Sequence, residues 1–140
     1  MVLAPKPLVN YNNSMKTIIT SKDAPAPIGP YSHAVKVGNM LFVSGQVAKR
    51  ADNGELVLSD IPSETHQVMK NVKAILAEAG FDLSDVVKTT IFLTDMKTFG
   101  AVNETYGSYF TGNYPARETV QVSALPLGVN VEISVTAVKA

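Results

Sequence analysis

The sequence contains no cysteine and no tryptophan, and neither sign of charge is in excess. The lack of cysteine excludes disulfide bonds, thiolate metal sites and a cysteine nucleophile. The two histidines, His33 and His66, belong to different predicted elements, so we expect no metal site. Twelve basic residues balance twelve acidic residues without forming a basic run, so we expect neither nucleic acid nor a membrane surface as a partner.

Long apolar runs and several catalytic motifs are also absent. No segment approaches the roughly 18 consecutive apolar residues that cross a bilayer, and no charged start precedes the apolar stretch of a secretory signal. We therefore expect a cytoplasmic protein. The sequence has no Gly-rich phosphate loop, G-x-S-x-G elbow or H-E-x-x-H motif, so it gives no support for nucleotide binding, for serine or zinc hydrolysis, or for a cofactor.

The chain has 140 residues, of which 46% are hydrophobic, and this is enough for one domain with a single core. Residues 1–14 contain two prolines and three asparagines without apolar periodicity, so we predict a poorly ordered tail. Residues 15–140 are predicted to form the domain.

Apolar periodicity and turn residues predict the element order β-β-β-α-β-α-β-β. The predicted strands are residues 16–20, 33–37, 40–47, 86–93, 117–124 and 129–138. The predicted helices run from about residues 59–63 to residue 79 and from residue 96 to residue 110. This order indicates an α+β domain in which two helices cover one face of a mixed, six-stranded sheet.

The alternation of side chains along the strands predicts which of them face the core. The last strand has an apolar side, formed by Val131, Ile133, Val135 and Ala137, which we expect the helices to cover. Its opposite side is polar and can be solvated or packed against another subunit. In strand 117–124, the apolar side with Val120 is expected to face the core. The β-branched run 86–93 is typical of a strand buried on both faces. The second helix is expected to bury Phe99, Val102, Tyr106 and Phe110.

Arg117 is the strongest candidate for a functional residue. The turn residues Gly112 and Asn113, followed by the non-donating Pro115, place the start of the strand near Ala116 and put Arg117 at its mouth. Its planar guanidinium can hold a carboxylate by two parallel hydrogen bonds, which a lysine cannot reproduce. From the residues alone, a solvated or ion-paired arginine is the more common alternative.

Glu132 is the second candidate because it is a carboxylate within an apolar and hydroxyl-rich strand. Burial would raise the pKa of this carboxyl, and a carboxylate at this position can orient or deprotonate a water molecule. The alternative is a structural ion pair with Arg117 or Lys36.

Four segments in this order resemble the RidA family, also called YjgF, of reactive-intermediate deaminases: IGPYSH at 28–33, VSGQ at 43–46, VKTTIFLTDMKTFGAVNETY at 87–106 and NYPARETVQVSALP at 113–126. The resemblance covers residues 15–140. It implies a chorismate-mutase-like fold and a homotrimer, with the sheets lining the centre and the sites in clefts between subunits. It also implies that Arg117 binds the carboxylate of a small 2-imino acid or 2-keto acid, and that Glu132 is catalytic.

The resemblance implies roles for five further residues. Tyr31 would close the pocket as a third catalytic residue, with its phenol bonded to the reacting nitrogen or its water. Ser44, Gly45 and Asn103 would bind substrate, and Thr119 would contribute its backbone amide. The alternatives are amphipathic packing for Tyr31, a β-bulge for Gly45 and exposed surface for Asn103.

Two positions depart from the family pattern. Many members read PARSCV where this chain reads PARETV, so Glu118 replaces a serine and Thr119 replaces a cysteine. Thr119 can still offer its backbone amide, whereas any role of the thiol itself would be lost. Strand alternation points Glu118 away from Arg117.

The implied activity is the hydrolysis of 2-imino and 2-enamino acids, such as 2-iminobutanoate and 2-iminopropanoate, to 2-keto acids and ammonia. The alternative is a non-catalytic trimer that binds keto acids or acts as a chaperone-like regulator. An RNA-cleaving activity, also attributed to the family, is disfavoured by the balanced charge of this chain.

Overall fold

The computed structural model describes residues 4–5 and 15–140. The tail predicted at residues 1–14 lies outside the described residues except for Ala4 and Pro5, so its disorder and the boundary of the domain stay predictions. From residue 15 onward, strands and helices follow one another in the predicted order.

Six strands form one mixed sheet. They are β1 (Thr17–Ile19), β2 (Ala34–Val37), β3 (Met40–Gln46), β4 (Val86–Leu93), β5 (Ala116–Gln121) and β6 (Val131–Val138). Their spatial order is β1-β2-β3-β6-β4-β5. Only the β4–β5 pair is parallel among these strands, and the remaining pairs are antiparallel. The predicted α+β architecture is confirmed.

The helix α1 (Ile61–Glu78) begins and ends where its sequence predicts. The side chain of Asp60 accepts the amide N–H of Ser63 at 2.7 Å, and Pro62 occupies the first turn. Gly80 has a positive φ of 79°, a conformation that suits glycine just beyond a helix. No helix within residues 4–5 and 15–140 is long and apolar enough to cross a membrane.

The second helix, α2 (Phe99–Gly107), is shorter than predicted. A one-turn 3₁₀ helix, Met96–Thr98, precedes it, and α2 ends three residues before Phe110. Beyond Gly107 the chain tightens, because Tyr109 and Phe110 each donate their amide to the carbonyl three residues earlier. Further one-turn 3₁₀ helices are Leu83–Asp85 and Pro126–Gly128.

Both helices lie on the same face of the sheet and enclose the core. The apolar side of β6 is buried as predicted, at Val131, Ile133, Val135 and Ala137. The strongest departure from an apolar core is Glu64 on α1, which is fully buried. Its carboxylate accepts the amides of Asn130 and Val131 and the side-chain amide of Asn130, each at 2.8 Å. Glu64 therefore ties α1 to the start of β6.

The opposite face of the sheet, called the open face below, is not covered within the described chain. It exposes apolar side chains as well as the expected polar ones, with Ile18 at 52% exposure and Phe42 at 45%. The prediction that β4 is buried on both faces is wrong for this chain. The side facing the helices is buried, but Lys88 on the open side pairs with Glu118 of β5 at 2.9 Å. This pair confirms that Glu118 points away from Arg117.

The face prediction for β5 is also wrong. Arg117 and Thr119 are half-buried on the helix side, because they lie beside the buried Thr89 and Ile91 of β4. Val120, expected in the core, is 40% exposed on the open face. The side chains of β5 do alternate between the two faces as predicted, but the pairing with β4 decides which of these faces the helices cover.

Candidate active site

Arg117 lies against α2, where two aromatic rings flank its guanidinium. The guanidinium carbon is 5.3 Å from the centroid of the Tyr106 ring and 5.7 Å from that of Phe99. Phe99 is therefore not the core residue that was expected, and 38% of it is exposed. The ion pairs among the described residues are Arg50–Asp52 and Lys88–Glu118. The charge of Arg117 thus has no acidic partner in this part of the chain and is available to an external anion.

A cavity of about 360 Å³, called the arginine cleft below, opens beside this guanidinium. It is lined by Asn103, Tyr106, Gly107, Tyr114, Pro115 and Arg117. Two buried side-chain atoms have no hydrogen-bond partner among the described residues, Oδ1 of Asn103 and Oγ1 of Thr119. Thr119 shares the helix side of β5 with Arg117. Because buried polar atoms are normally paired, these two atoms are suited to bind a ligand or its water.

A second cavity, of about 240 Å³, contains Glu132 and is called the glutamate cleft below. It is lined by Ile28, Tyr31, Gly45, Val47, Pro126 and Glu132. Burial raises the pKa of the Glu132 carboxyl above that of an ordinary glutamate, and no cation among the described residues lowers it. A raised pKa makes the carboxylate a stronger base, which suits proton transfer from water.

Gly45 lies directly against Glu132. It occupies an irregularity of β3 between Val43 and Gln46, where the pairing with β6 shifts. A Cβ atom at position 45 would lie 2.9 Å from Cδ of Glu132, which is closer than real Cβ contacts. The glycine therefore serves both as a bulge and as a point of close approach, and the approaching group is the Glu132 carboxyl of the same chain.

The loop that carries Tyr31 is held by hydrogen bonds to its backbone. Nδ1 of His33, a residue with 2% exposure, accepts the amide N–H of Ser21 at 3.0 Å, and Nε2 lies 2.7 Å from the carbonyl oxygen of Pro25. This pattern assigns the neutral tautomer in which Nε2 donates. The hydroxyl of Ser44 donates to the carbonyl oxygen of Ser32 at 2.6 Å. Ser44 thus fixes this loop and lines neither cleft.

The two clefts lie on opposite faces of the sheet. In the strand register, Arg117 is beside Thr89 on the helix side, whereas Glu132 is beside Phe92 on the open side. The structure brings together Tyr31, Gly45 and Glu132 in one cleft and Asn103 and Arg117 in the other, and Thr119 lies on the same side of β5 as Arg117. It does not join these two groups within one chain. An ion pair between Arg117 and Glu132 of the same chain is therefore wrong.

Sequence reasoning missed the residues that support these side chains. A spacing of four and then three residues places Phe99, Asn103 and Tyr106 on one face of α2. This helical spacing is the sequence signal that could have identified the two aromatic residues as neighbours of the site. Phe99 and Tyr106 entered the sequence interpretation only as core residues. No comparable signal marks His33, because its partners are backbone atoms of an irregular loop.

A cavity of about 420 Å³, larger than either cleft, lies away from both of them. Its lining residues are Lys22, Asp23, Arg50, Ala51, Asp52, Gln67, Lys70 and Asn71. Charges of both signs oppose each other there, and Arg50 is already bound by Asp52 at 2.8 Å. None of the predicted site residues lies in it, so size alone does not make it the candidate site.

Comparison with known proteins finds relatives along nearly the whole chain. Residues 21–139 match the model of a family described as Endoribonuclease L-PSP. A RutC family protein of Pyrococcus horikoshii is 49% identical over 125 residues, which cover 89% of this chain and 99% of that protein. A Mus musculus protein named 2-iminobutanoate/2-iminopropanoate deaminase is 47% identical over 125 residues, with coverages of 89% and 93%. The crystal structure of the Escherichia coli YjgF gene product, 41% identical, superimposes with a TM-score of 0.85 over 89% of this chain and 99% of that one. This likeness confirms the fold implied by the sequence motifs.

Proposed function

The chain belongs to the RidA (YjgF) family, and from this premise we propose that it hydrolyses small 2-imino and 2-enamino acids to 2-keto acids and ammonia. The proposed substrates are 2-iminobutanoate and 2-iminopropanoate, for which the mouse relative is named. The observation that carries the proposal is Arg117, a half-buried guanidinium without an acidic partner among the described residues. Asn103, which lines the same cleft, and Thr119, on the same side of β5, each have a buried polar atom without a hydrogen-bond partner among the described residues.

Arg117 would hold the substrate carboxylate through two parallel, charge-assisted hydrogen bonds. Glu132 would accept a proton from a water molecule while the water oxygen bonds to the imine carbon, and it would return this proton to the nitrogen to give a carbinolamine. Glu132 would then take the hydroxyl proton of the carbinolamine and pass it to the nitrogen as the C=O bond forms and the C–N bond breaks, so that one water is consumed and one ammonia is released. The Tyr31 phenol would orient the nitrogen or the water. Imines already react with water, so orientation and one base suffice without a cofactor.

This reaction requires Arg117 and Glu132 to meet, which motivates a homotrimer with each site between two subunits. Within one chain the two clefts face away from each other, so a neighbouring copy would supply the missing half. The apolar side chains exposed on the open face, among them Ile18, Phe42 and Val120, support packing against another copy. Light scattering should give about three times the mass of one chain. A monomer with full activity would contradict the shared site.

The test couples this protein to a threonine or serine dehydratase, which releases imines, and follows keto-acid formation. Arg117→Ala should lower kcat/KM by tens- to thousandfold, because a hydrogen bond to a charged group contributes about 1.5–3 kcal/mol. Arg117→Lys should rescue poorly, since lysine keeps the charge but loses the planar fork. Arg50→Ala is the matched control, because the exposed Arg50 pairs with Asp52 outside both clefts. An Arg117→Ala variant with a lower Tm and unchanged kcat/KM would make Arg117 structural.

The Glu132→Gln variant distinguishes an enzyme from a protein that only binds keto acids. If Glu132 handles the water, this change should slow turnover while calorimetry still detects keto-acid binding. A wild-type protein that binds keto acids without accelerating imine hydrolysis would instead be a keto-acid-binding protein.

A further inference from the structure

The contacts of Arg117 with α2 suggest a second layer of the proposed site. We propose that Tyr106 and Phe99 form an aromatic clamp that positions the Arg117 guanidinium for its ligand. Tyr106 is then a positioning residue that acts through Arg117. The inference rests on the proposed role of Arg117 in binding a carboxylate.

The clamp holds a cation without consuming its hydrogen-bond donors. Both ring centroids lie within 6 Å of the guanidinium carbon, at 5.3 Å for Tyr106 and 5.7 Å for Phe99. At this range the negative face of an aromatic ring attracts a cation. A carboxylate partner would hold the guanidinium more strongly, but it would neutralise the charge and occupy the donors that a substrate needs. The rings restrict the motion of Arg117 without accepting hydrogen bonds from its N–H groups.

Tyr106 is itself fixed from two sides. Its hydroxyl donates to Oγ1 of Thr89 at 2.9 Å, and the ring of Phe110 packs against it with a centroid separation of 4.9 Å. Thr89 is fully buried and lies directly beside Arg117 in the parallel pairing of β4 and β5. These contacts therefore join β5, β4 and α2 to one another around the guanidinium.

The same face of α2 also carries Asn103, which lies between Phe99 and Tyr106 along the helix. The helix therefore holds Oδ1 of Asn103, which has no hydrogen-bond partner among the described residues, at a fixed position relative to the clamped guanidinium. Loss of the clamp should weaken the binding of the carboxylate and leave the chemical step unchanged. In kinetic terms, KM should rise at constant kcat.

The test compares three variants of the clamp and one control variant with the wild-type chain in the dehydratase-coupled assay and in calorimetry with 2-ketobutanoate. Tyr106→Leu removes the ring, and it should raise KM and Kd by about three- to thirtyfold with kcat unchanged. Tyr106→Phe keeps the ring and should stay within about threefold of wild type. Phe99→Leu, at a partly exposed position that tolerates the change, should give an intermediate effect. Tyr109→Leu is the control, because the Tyr109 ring packs on His66 and not on Arg117.

A readout that does not depend on activity is the side-chain Nε–H signal of Arg117 in a ¹H–¹⁵N spectrum. Arg50 and Arg117 are the only arginines of the sequence, so the Nε–H signal that disappears in Arg117→Lys belongs to Arg117. The ring-current shift should shrink in Tyr106→Leu, where only the Phe99 ring remains, and persist in Tyr106→Phe. An unmoved signal, or a moved signal with unchanged KM and Kd, would overturn the clamp. A wild-type protein that neither binds the keto acid nor releases ammonia would overturn the proposed function, and the spectra would still decide whether the rings hold the guanidinium.

Discussion

Replacing Gly45 with alanine should separate the stability of this protein from its proposed catalysis. An added Cβ would lie 2.9 Å from Cδ and 3.1 Å from Cγ of Glu132. The carboxyl carbon must therefore retreat by about 0.5 Å, from 2.9 Å to the 3.4 Å at which ordinary contact begins. Because this carboxyl is the flexible end of a side chain, the free energy of unfolding should fall by only about 1 kcal/mol, the low end of overpacking costs.

The same displacement should have a larger effect on turnover. A misplacement of about 1 Å can cost on the order of 100-fold in rate, so about half of that distance should lower kcat on the order of tenfold. The dehydratase-coupled assay measures kcat, and urea unfolding at fixed protein concentration measures stability. Gly100→Ala is the matched control, because a Cβ there meets nothing within 4 Å and α2 gains a better helix former. Its kcat should equal that of wild type.

A double-mutant cycle tests whether the effect of Gly45→Ala passes through Glu132. In a Glu132→Gln background, where the base is already lost, adding Gly45→Ala should change kcat very little. Multiplied losses in the double variant would mean that Gly45 acts through the backbone of the bulge. An unchanged kcat in the single variant would refute the reasoning altogether.

Two further predictions follow from buried carboxyl groups. Burial raises the folded pKa of Glu132, so protonation stabilises the fold below the unfolded pKa and this gain is lost as pH rises through the folded pKa. Glu132→Gln should therefore raise the urea midpoint at pH 7 more than at pH 4, and equal shifts at both pH values would contradict this. Glu64→Ala should cost about 3 kcal/mol of stability, because it leaves three donors of Asn130 and Val131, buried or partly buried, without their acceptor. Glu64→Gln should cost less, since the Asn130 amide can turn over to accept from it, and equal losses in a urea titration would argue against that rearrangement.

Local patterns in the sequence determined most of the fold. The apolar repeat of α1, its Asp60 cap and Gly80 beyond its end delimit that helix without reference to any other element. The strict alternation of β6 likewise predicts its buried side, because neighbouring residues of a strand point to opposite faces. The motif segment around Arg117 and the position of Glu132 within an apolar strand marked these two candidates for the same reason, since each signal is short and continuous in the chain.

Tertiary structure alone decided how those residues are arranged. Alternation in β5 shows that its two sides differ, but only the register with β4 places Arg117 under the helices and Val120 on the open face. The pairing of β4 with β6 puts Glu132 on the face opposite to Arg117, although both are candidates for one site. The contact of Gly45 with Glu132 joins positions that are distant in the chain. Such relations depend on strand pairing and on packing between elements, and a local pattern carries no information about the partner it will meet.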